Sequence, residues 1–381
     1  MLPFDVGDPV RARAAWSRIA EPGDEHAGAV VRELGPSGAL DWLCSSAARA
    51  SGLAPPLRQL VERLAPRLDG LDIRRELEVL QRLGGHLVTP EGEGWPTALD
   101  DLSVRAPFAL WVRAAAPCPL DLPRGRSLAI VGSRASTRYG ETIAAEFAFA
   151  LAEEGLTVVS GGAYGIDAAA HRGALAARGA PTIALLAGGV DRLYPAGNEA
   201  LLLQVAQTGA LVAEVPPGSV PGRHRFLARN RLIAALTSGT LVVEAARRSG
   251  ALSTANHASD LLRPVGAVPG PVTSAASSGC HWMIREGQAV CVTTSAEARE
   301  LAAPAGEFAA PLPGGPPGLL DDLDPVQARV LDALPLRAAA HVPSVARAAG
   351  VSEADARSAL GLLELAGRVR RRGDGWARVA S

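Results

Sequence analysis

Residues 157–167 read Thr157-Val158-Val159-Ser160-Gly161-Gly162-Ala163-Tyr164-Gly165-Ile166-Asp167. A short apolar run ends in glycines, and a helical pattern follows from Ile166 to Arg178. Strand, glycine turn and helix start make up the unit of a parallel sheet, because parallel neighbours need a crossover. The unit recurs about every 25 to 29 residues, the rhythm of βαβ repeats. Its strands are Leu128–Val131, Thr157–Ser160, Thr182–Leu186, Leu211–Glu214, Thr240–Glu244, Val265–Val268 and Ala289–Val292. Helical patterns cover Thr142–Glu153, Ile166–Arg178, Asn198–Thr208, Asn230–Leu236 and Ser253–Leu262. The strands are apolar nearly throughout, as strands buried on both faces are. The pattern predicts an α/β fold with a doubly wound, mostly parallel sheet. Its ligand belongs at the carboxyl ends of the strands.

Upstream, residues 71–125 are transitional. A helix is expected over Asp72–Leu83, and strands over His86–Thr89 and Phe108–Val112, with Trp95-Pro96 between them. Residues 1–70 read as short helices, Arg11–Ala20, His26–Leu34 and Gly38–Ala50, broken at Glu21-Pro22-Gly23-Asp24 and Gly35-Pro36-Ser37-Gly38. Such pieces resemble helix-hairpin-helix modules, but no basic cluster argues for DNA contact, and a helical packing module is the plainer reading. Downstream, residues 301–320 carry Pro and Gly without periodicity and read as a linker. Residues 321–381 give a helix from Pro325 to Leu334 capped by Asp324, a second over Val342–Ala349, and a third over Ser352–Ala366. A hairpin of Val369–Arg372 and Trp376–Val379 follows. That order is the winged-helix pattern.

Composition narrows the function classes. The chain of 381 residues has a formal net charge of -1, so it is no globally basic, histone-like binder. All 38 basic residues are arginine, which excludes a Schiff-base or Walker lysine. Cys44, Cys118, Cys280 and Cys291 form no C-x-x-C pair, so neither a zinc site nor a disulfide framework is expected. No run is long enough for a membrane span, and the start Met1-Leu2-Pro3-Phe4-Asp5 lacks signal-peptide features. A cytoplasmic protein with reduced thiols, no metal and no cofactor is expected.

Several constellations fall at strand ends. Gly132-Ser133-Arg134 precedes a helix, where backbone amides and a guanidinium suit an anion. Taken alone, such a turn is as often only a turn. Gly161 and Gly162 offer a second close approach for phosphate. Asp167 reads as a cap rather than a catalytic acid, and His171 is spaced to pair with it across one turn. From Val215 to Val243 there is no acid and there are four arginines, Arg223, Arg225, Arg229 and Arg231, around Phe226 and Asn230. Arginines neutralise phosphates and an aromatic stacks on bases, which suits single-stranded nucleic acid; a solvated basic loop over a core Phe226 is the alternative. Ser249-Gly250 opens another strand-end loop. Glu244 has no paired acid or nucleophile, so no catalytic residue is assigned. The wing carries Arg368, Arg370, Arg371 and Arg372. The third helix offers Glu353, Asp355 and Glu364, a poor set for reading a groove.

Taken in order, these motifs resemble those of the bacterial DNA-processing protein DprA (Smf) family. They are Gly132-Ser133-Arg134 with Tyr139-Gly140; Ser160 to Asp167 with Ala170-His171; Tyr194-Pro195; Phe226 with Arg229-Asn230-Arg231; Val243-Glu244-Ala245 with Ser249-Gly250 and Thr254; and Val268-Pro269-Gly270. The resemblance spans roughly residues 71–300. It implies an extended Rossmann fold over 71–300, a SAM-like helical module over 1–70 and a winged helix over 321–381. It also implies single-stranded DNA in a basic pocket, RecA recombinase and single-strand binding protein as partners, a homodimer, and a role in natural transformation and recombination. Residue by residue, it makes Arg134 a pocket arginine, Arg223 a basic DNA contact and Phe226 the stacking aromatic. Arg229, Asn230 and Arg231 would line or brace the pocket. Arginine stands at Arg223 where lysine is common, Trp95-Pro96 where Tyr-Pro is usual, and Tyr164 where many members carry a basic or small residue. The alternative is a nucleotide-phosphate hydrolase of the lysine-decarboxylase-like group, echoed faintly by Thr237 to Glu244. A winged-helix transcription regulator is a third reading, weakened by the acidic third helix.

Overall fold

The computed structural model describes residues 2–46, 52–304, 307–308, 323–335 and 338–379. They fall into two compact units, Met1–Ala310 and Pro311–Ser381. The first unit opens with α1 (Pro9–Ile19), whose Asp8 side chain accepts from the amides of Val10 and Arg11. α2 (Glu25–Ser46) breaks at Gly35, φ 71°, beside Pro36. The two helices expected there are thus one element with a kink at the expected turn; its expected end, 47–50, lies outside the described residues. α3 (Pro55–Leu64) was not expected, and α4 (Arg74–Arg82) was.

The sheet elements follow: β1 (Gly85–Val88), β2 (Leu110–Arg113), β3 (Ser127–Gly132), α5 (Arg138–Glu153), β4 (Thr157–Ser160), α6 (Ile166–Ala176), β5 (Thr182–Leu186), α7 (Glu199–Thr208) and β6 (Ala210–Ala213). Then come α8 (Arg223–Leu236), β7 (Thr240–Glu244), α9 (Ala251–Asp260), β8 (Val265–Ala267), α10 (Ser278–Arg285), β9 (Val290–Cys291) and α11 (Ser295–Ala302). They build one nine-stranded sheet in the order β1-β2-β6-β5-β4-β3-β7-β8-β9. The strands from β6 to β9 in that order are parallel, and β1 and β2 add an antiparallel edge. Strand order reverses between β3 and β7, and a crevice opens at such a switch point.

Alternate residues of each strand face opposite layers, which is why the strands read as unbroken apolar runs. Ala129, Val131, Val159, Ile183, Leu185, Val212 and Val242 pack under α8, α9 and α10. Ile130, Val158, Leu241 and Val243 meet Phe147, Leu151, Ile166 and Leu301 on the other face. Where those crossover helices stop, the N-terminal helices take over. Trp16, Ile19, Leu40 and Leu43 cover Trp111, Leu186, Leu211 and Ala213. The buried Trp111 indole donates to Ser17 Oγ at 3.0 Å, so its polar atom is satisfied.

Two boundaries differ from expectation. α8 begins at Arg223, not Asn230. Arg225, Arg229 and Arg231 are held by partners inside the protein, so they hide the apolar period. α11 carries Leu301 and Ala302, expected in the linker, into the core. Residues 309–320 of that linker lie outside the described residues.

The second unit is a winged helix: α12 (Pro325–Asp332), α13 (Val342–Ala349), α14 (Glu353–Leu365), β10 (Val369–Arg372) and β11 (Gly375–Arg378). Gly350, φ 66°, takes the left-handed turn between α13 and α14, and Ser352 caps α14 through the Asp355 amide. Val330, Val345, Leu360, Leu363 and Trp376 form its core.

Candidate nucleic-acid interface

The β3–β7 switch point holds a cleft of about 380 Å³ lined by Gly132, Ser133, Arg134, Asp167, Phe226, Arg229, Asn230, Ser249, Gly250 and Thr254, among others. Arg134, Phe226, Ser249 and Gly250 also border a larger basin of about 920 Å³ that adds Arg192, Tyr194, Arg223 and Arg248. Gly132, Ser133, Arg134, Arg223, Phe226, Arg229, Asn230, Ser249 and Gly250 thus converge from loops far apart in sequence.

Local packing sets each wall. A Cβ on Gly132 would stand 2.5 Å from Ile166 Cγ1, so only glycine lets the end of β3 approach α6. The Ser133 amide donates to the Glu244 carbonyl at 2.6 Å, tying this loop to β7. Arg134 is exposed, with its guanidinium 4.4 Å from the centre of the Phe226 ring, a cation–π contact. Tyr194 packs on the same ring at 5.8 Å, tilted by 52°. Phe226 is therefore half-buried in an Arg–Phe–Tyr cluster and does not stand free.

The helix N-termini around the crevice divide into two kinds. The buried Glu244 accepts from the Thr137 amide at 2.7 Å and from its hydroxyl at 2.8 Å. The start of α5 therefore already holds an anion, and both Glu244 oxygens are engaged there. Asp167, in the first turn of α6, instead reaches back and accepts from the loop amides of Gly161 at 3.1 Å and Ala163 at 3.4 Å. The Gly161 amide is thereby engaged within the protein, and both Gly161 and Gly162 are buried. By contrast, α8 has no acid in its first turn and no side-chain cap, and its first residue is the exposed Arg223.

The triplet in α8 braces the site. Arg229 donates to the carbonyls of Gly161, at 2.8 Å, and Leu185, which are at the ends of β4 and β5. A Cβ on Gly161 would meet the Arg229 Nη1 at 2.3 Å, so the glycine exists for this contact. Burial lowers the Arg229 pKa to about 10, opposed by Asp167, so it stays charged at neutral pH. Asn230 donates to the Gly250 carbonyl at 3.2 Å and holds the β7–α9 loop. Arg231 is fully buried and grips Glu214 through two bonds of 2.6 and 2.7 Å. It does not reach the cleft; of the two expected roles, only bracing is open to it.

Two further contacts lie behind the site. The expected Asp167–His171 pair is absent: the Thr182 hydroxyl donates to the Val158 carbonyl and accepts from His171 Nδ1 at 2.9 Å. Burial pushes the His171 pKa down to about 3, so the ring is neutral. At the start of α8, Arg225 and His224 bond Glu21 of the N-terminal layer, with Arg67 beside it. Burial raises the Glu21 pKa, but these bonds and charges outweigh it and bring the carboxyl to about 2.

Sequence reasoning missed Arg192, Tyr194 and Arg248 as site residues. With Arg134 and Arg223, the two arginines complete a rim of exposed guanidinium groups, none with an acidic partner among the described residues. Arg192 and Tyr194 follow β5, and Arg248 follows β7. In the winged helix, Arg371 covers Trp376 at 4.9 Å, while Arg370 and Arg372 are exposed. α14 exposes Glu353, Asp355, Leu362 and Leu365.

Comparison with known proteins agrees with this geometry. The DNA recombination-mediator protein A family matches residues 86–302, and the DprA winged helix domain matches residues 314–375. The chain is 44% identical over 385 residues to the putative DNA processing protein DprA of Mycobacterium tuberculosis, covering 97% of this chain and 94% of that one. It is 40% identical over 222 residues to protein Smf of Escherichia coli, covering 58% of each. It superposes on DNA processing protein A of Streptococcus pneumoniae with a TM-score of 0.62 and 30% identity, over 81% of this chain and 99% of that one. Against DNA processing protein A of Helicobacter pylori, whose single-stranded DNA binding mode has been described, the TM-score is 0.50 and the identity 30%, over 56% of this chain and 94% of that one. The motif order, the switch-point crevice and these matches agree: the chain belongs to the DNA recombination-mediator protein A (DprA) family.

Proposed function

We propose that this chain holds single-stranded DNA in the crevice at the carboxyl edge of its sheet and hands the strand to the RecA recombinase. The carrying observation is the unpaired arginine rim around the Arg134–Phe226–Tyr194 cluster. The rim suits a phosphodiester backbone, and the aromatic pair suits unstacked bases. A duplex keeps its bases stacked and cannot offer them to Phe226. Because Glu244 occupies the start of α5 and Asp167 takes the loop amides of Gly161 and Ala163, the crevice favours a strand over a nucleotide's pyrophosphate.

The recombination half of the proposal draws on family membership. Its partners are RecA and single-strand binding protein, with the chain working as a homodimer in the cytoplasm during natural transformation or general recombination. Its role is binding and delivery without turnover. No helix among the described residues is long and apolar enough to cross a membrane.

Fluorescence anisotropy with a labelled dT oligonucleotide and a duplex, across a salt series, tests the first half. The expected result is a strong preference for the single strand and a steep salt dependence. Equal affinity for duplex would remove the crevice reading. A RecA strand-exchange assay with single-strand binding protein present tests the second half, where acceleration is expected and no effect would refute delivery.

A further inference from the structure

We propose that a second copy of this chain docks at the amino edge of the sheet, where Leu262 of each copy enters a cleft of the other. The inference rests on the homodimer of the proposed function and gives it a face. That face is at the opposite edge of the sheet from the strand crevice, so docking leaves the crevice open.

Leu262 follows α9 in the left-handed region, with φ 55°, and is 94% exposed. Its amide donates to the Ser259 carbonyl at 2.9 Å, and the Arg263 amide donates to the Ala258 carbonyl at 2.8 Å. This is the Schellman turn that ends a helix, where glycine or asparagine is the usual residue. A single exposed leucine is ordinary. A leucine in this turn also strains the backbone while its side chain stays in water. Arg263 holds the turn in place: its guanidinium bonds the carbonyls of Ala234, Ala235 and Thr237 and the Asp101 carboxylate. Leu262 is therefore a fixed apolar knob.

A hole lies beside the knob. A cleft of about 590 Å³ runs past Ser127, Ser238 and Pro264, at the amino ends of β3, β7 and β8, and Leu262 borders it. Leu122, Leu236, Leu261 and Pro304 give it apolar walls. Arg124 also borders it, exposed and without a hydrogen-bond or ion-pair partner among the described residues. Asp260, two residues before the knob, is exposed and unpaired in the same sense. A knob next to a hole on one face is what a two-fold axis satisfies, because each copy then fills the other. Seating the knob brings Asp260 toward the partner's Arg124, so the charges match as well as the shapes. A lone apolar peptide would fill the hole and leave the knob in water.

Sedimentation velocity of the full chain over a concentration series is the test. Leu262→Gly removes the knob and suits the left-handed turn. It should unfold in urea no earlier than wild type, while its dimer Kd rises more than about tenfold, since each copy no longer buries a leucine. Asp260→Arg and Arg124→Asp, both at exposed positions, should each weaken the dimer, and the double variant should recover it. An unchanged dimer in Leu262→Gly would overturn this face and leave the homodimer reading standing. A double variant that dimerises no better than either single one would overturn the two-fold arrangement. A wild-type chain that stays monomeric throughout would overturn the homodimer reading itself.

Discussion

The arginines at the rim of the crevice and those beneath it share one side chain and do opposite work. Arg134, Arg192, Arg223 and Arg248 are exposed without acidic partners. Arg229 and Arg231 are tied to carbonyls and a carboxylate inside the protein. Arg231 grips Glu214, and Arg229 bonds the carbonyls of Gly161 and Leu185. The difference teaches that partner geometry, not charge, sorts these residues. A rim position needs only a cation, whereas a bracing position needs the planar fork. Lysine should therefore be tolerated at Arg223 and not at Arg231.

The largest effect should come from below. Arg231→Ala leaves Glu214 buried without a counter-charge, which typically costs about 3–5 kcal/mol. Urea unfolding should show that loss, and a drop below about 1 kcal/mol would mean that Arg231 does not brace α8. Gly161→Ala drives a methyl into the Arg229 guanidinium and should cost about 1–3 kcal/mol by overpacking. The rim should behave the other way. Phe226→Ala should weaken strand binding by about 1–3 kcal/mol without changing the salt slope. Arg134→Ala and Arg223→Ala should each lower that slope by about 1 and leave stability within about 0.5 kcal/mol. If Arg134→Ala destabilised the fold as Arg231→Ala does, the division between rim and brace would collapse.

The same division explains what was legible in the sequence. Strands buried on both faces announce themselves, so Thr157–Ser160, Thr182–Leu186 and Thr240–Glu244 were read with their observed bounds. Helix α8 was not, since Arg225, Arg229 and Arg231 break the apolar period while being satisfied by groups distant in sequence. Phe226 and Arg134 stood out as residue types in strand-end loops. Their contact across 92 positions had no local signal, nor did the convergence of Arg192, Tyr194 and Arg248. Other signals were present and unused. Pro55-Pro56 followed by Leu57, Leu60, Val61 and Leu64 marks α3, and Thr294 with Glu297 is the capping box that starts α11. The Asp167–His171 spacing misled because Thr182, on the neighbouring strand, offered His171 a better-placed acceptor.

The smallest effect concerns the joint between the N-terminal layer and α8. Glu21 accepts from both His224 and Arg225 in the first turn of α8, where a negative charge also suits the helix dipole. Its carboxyl is held near 2 in the folded chain, against 4.5 for the free group. A depressed carboxyl stabilises the fold fully above its unfolded pKa and loses that contribution as pH falls through the folded value. The stability gap between wild type and Glu21→Gln should therefore be widest near neutral pH. It should close between about pH 4.5 and 2 as the wild-type group takes up its proton. Urea midpoints of both proteins over this range would decide it, and parallel curves would show that Glu21 adds nothing through its charge. Because the joint holds the turn that presents Arg223 and Phe226, Glu21→Gln should also weaken strand binding modestly at neutral pH. Glu21→Asp, which keeps the charge on a shorter arm, should recover part of it.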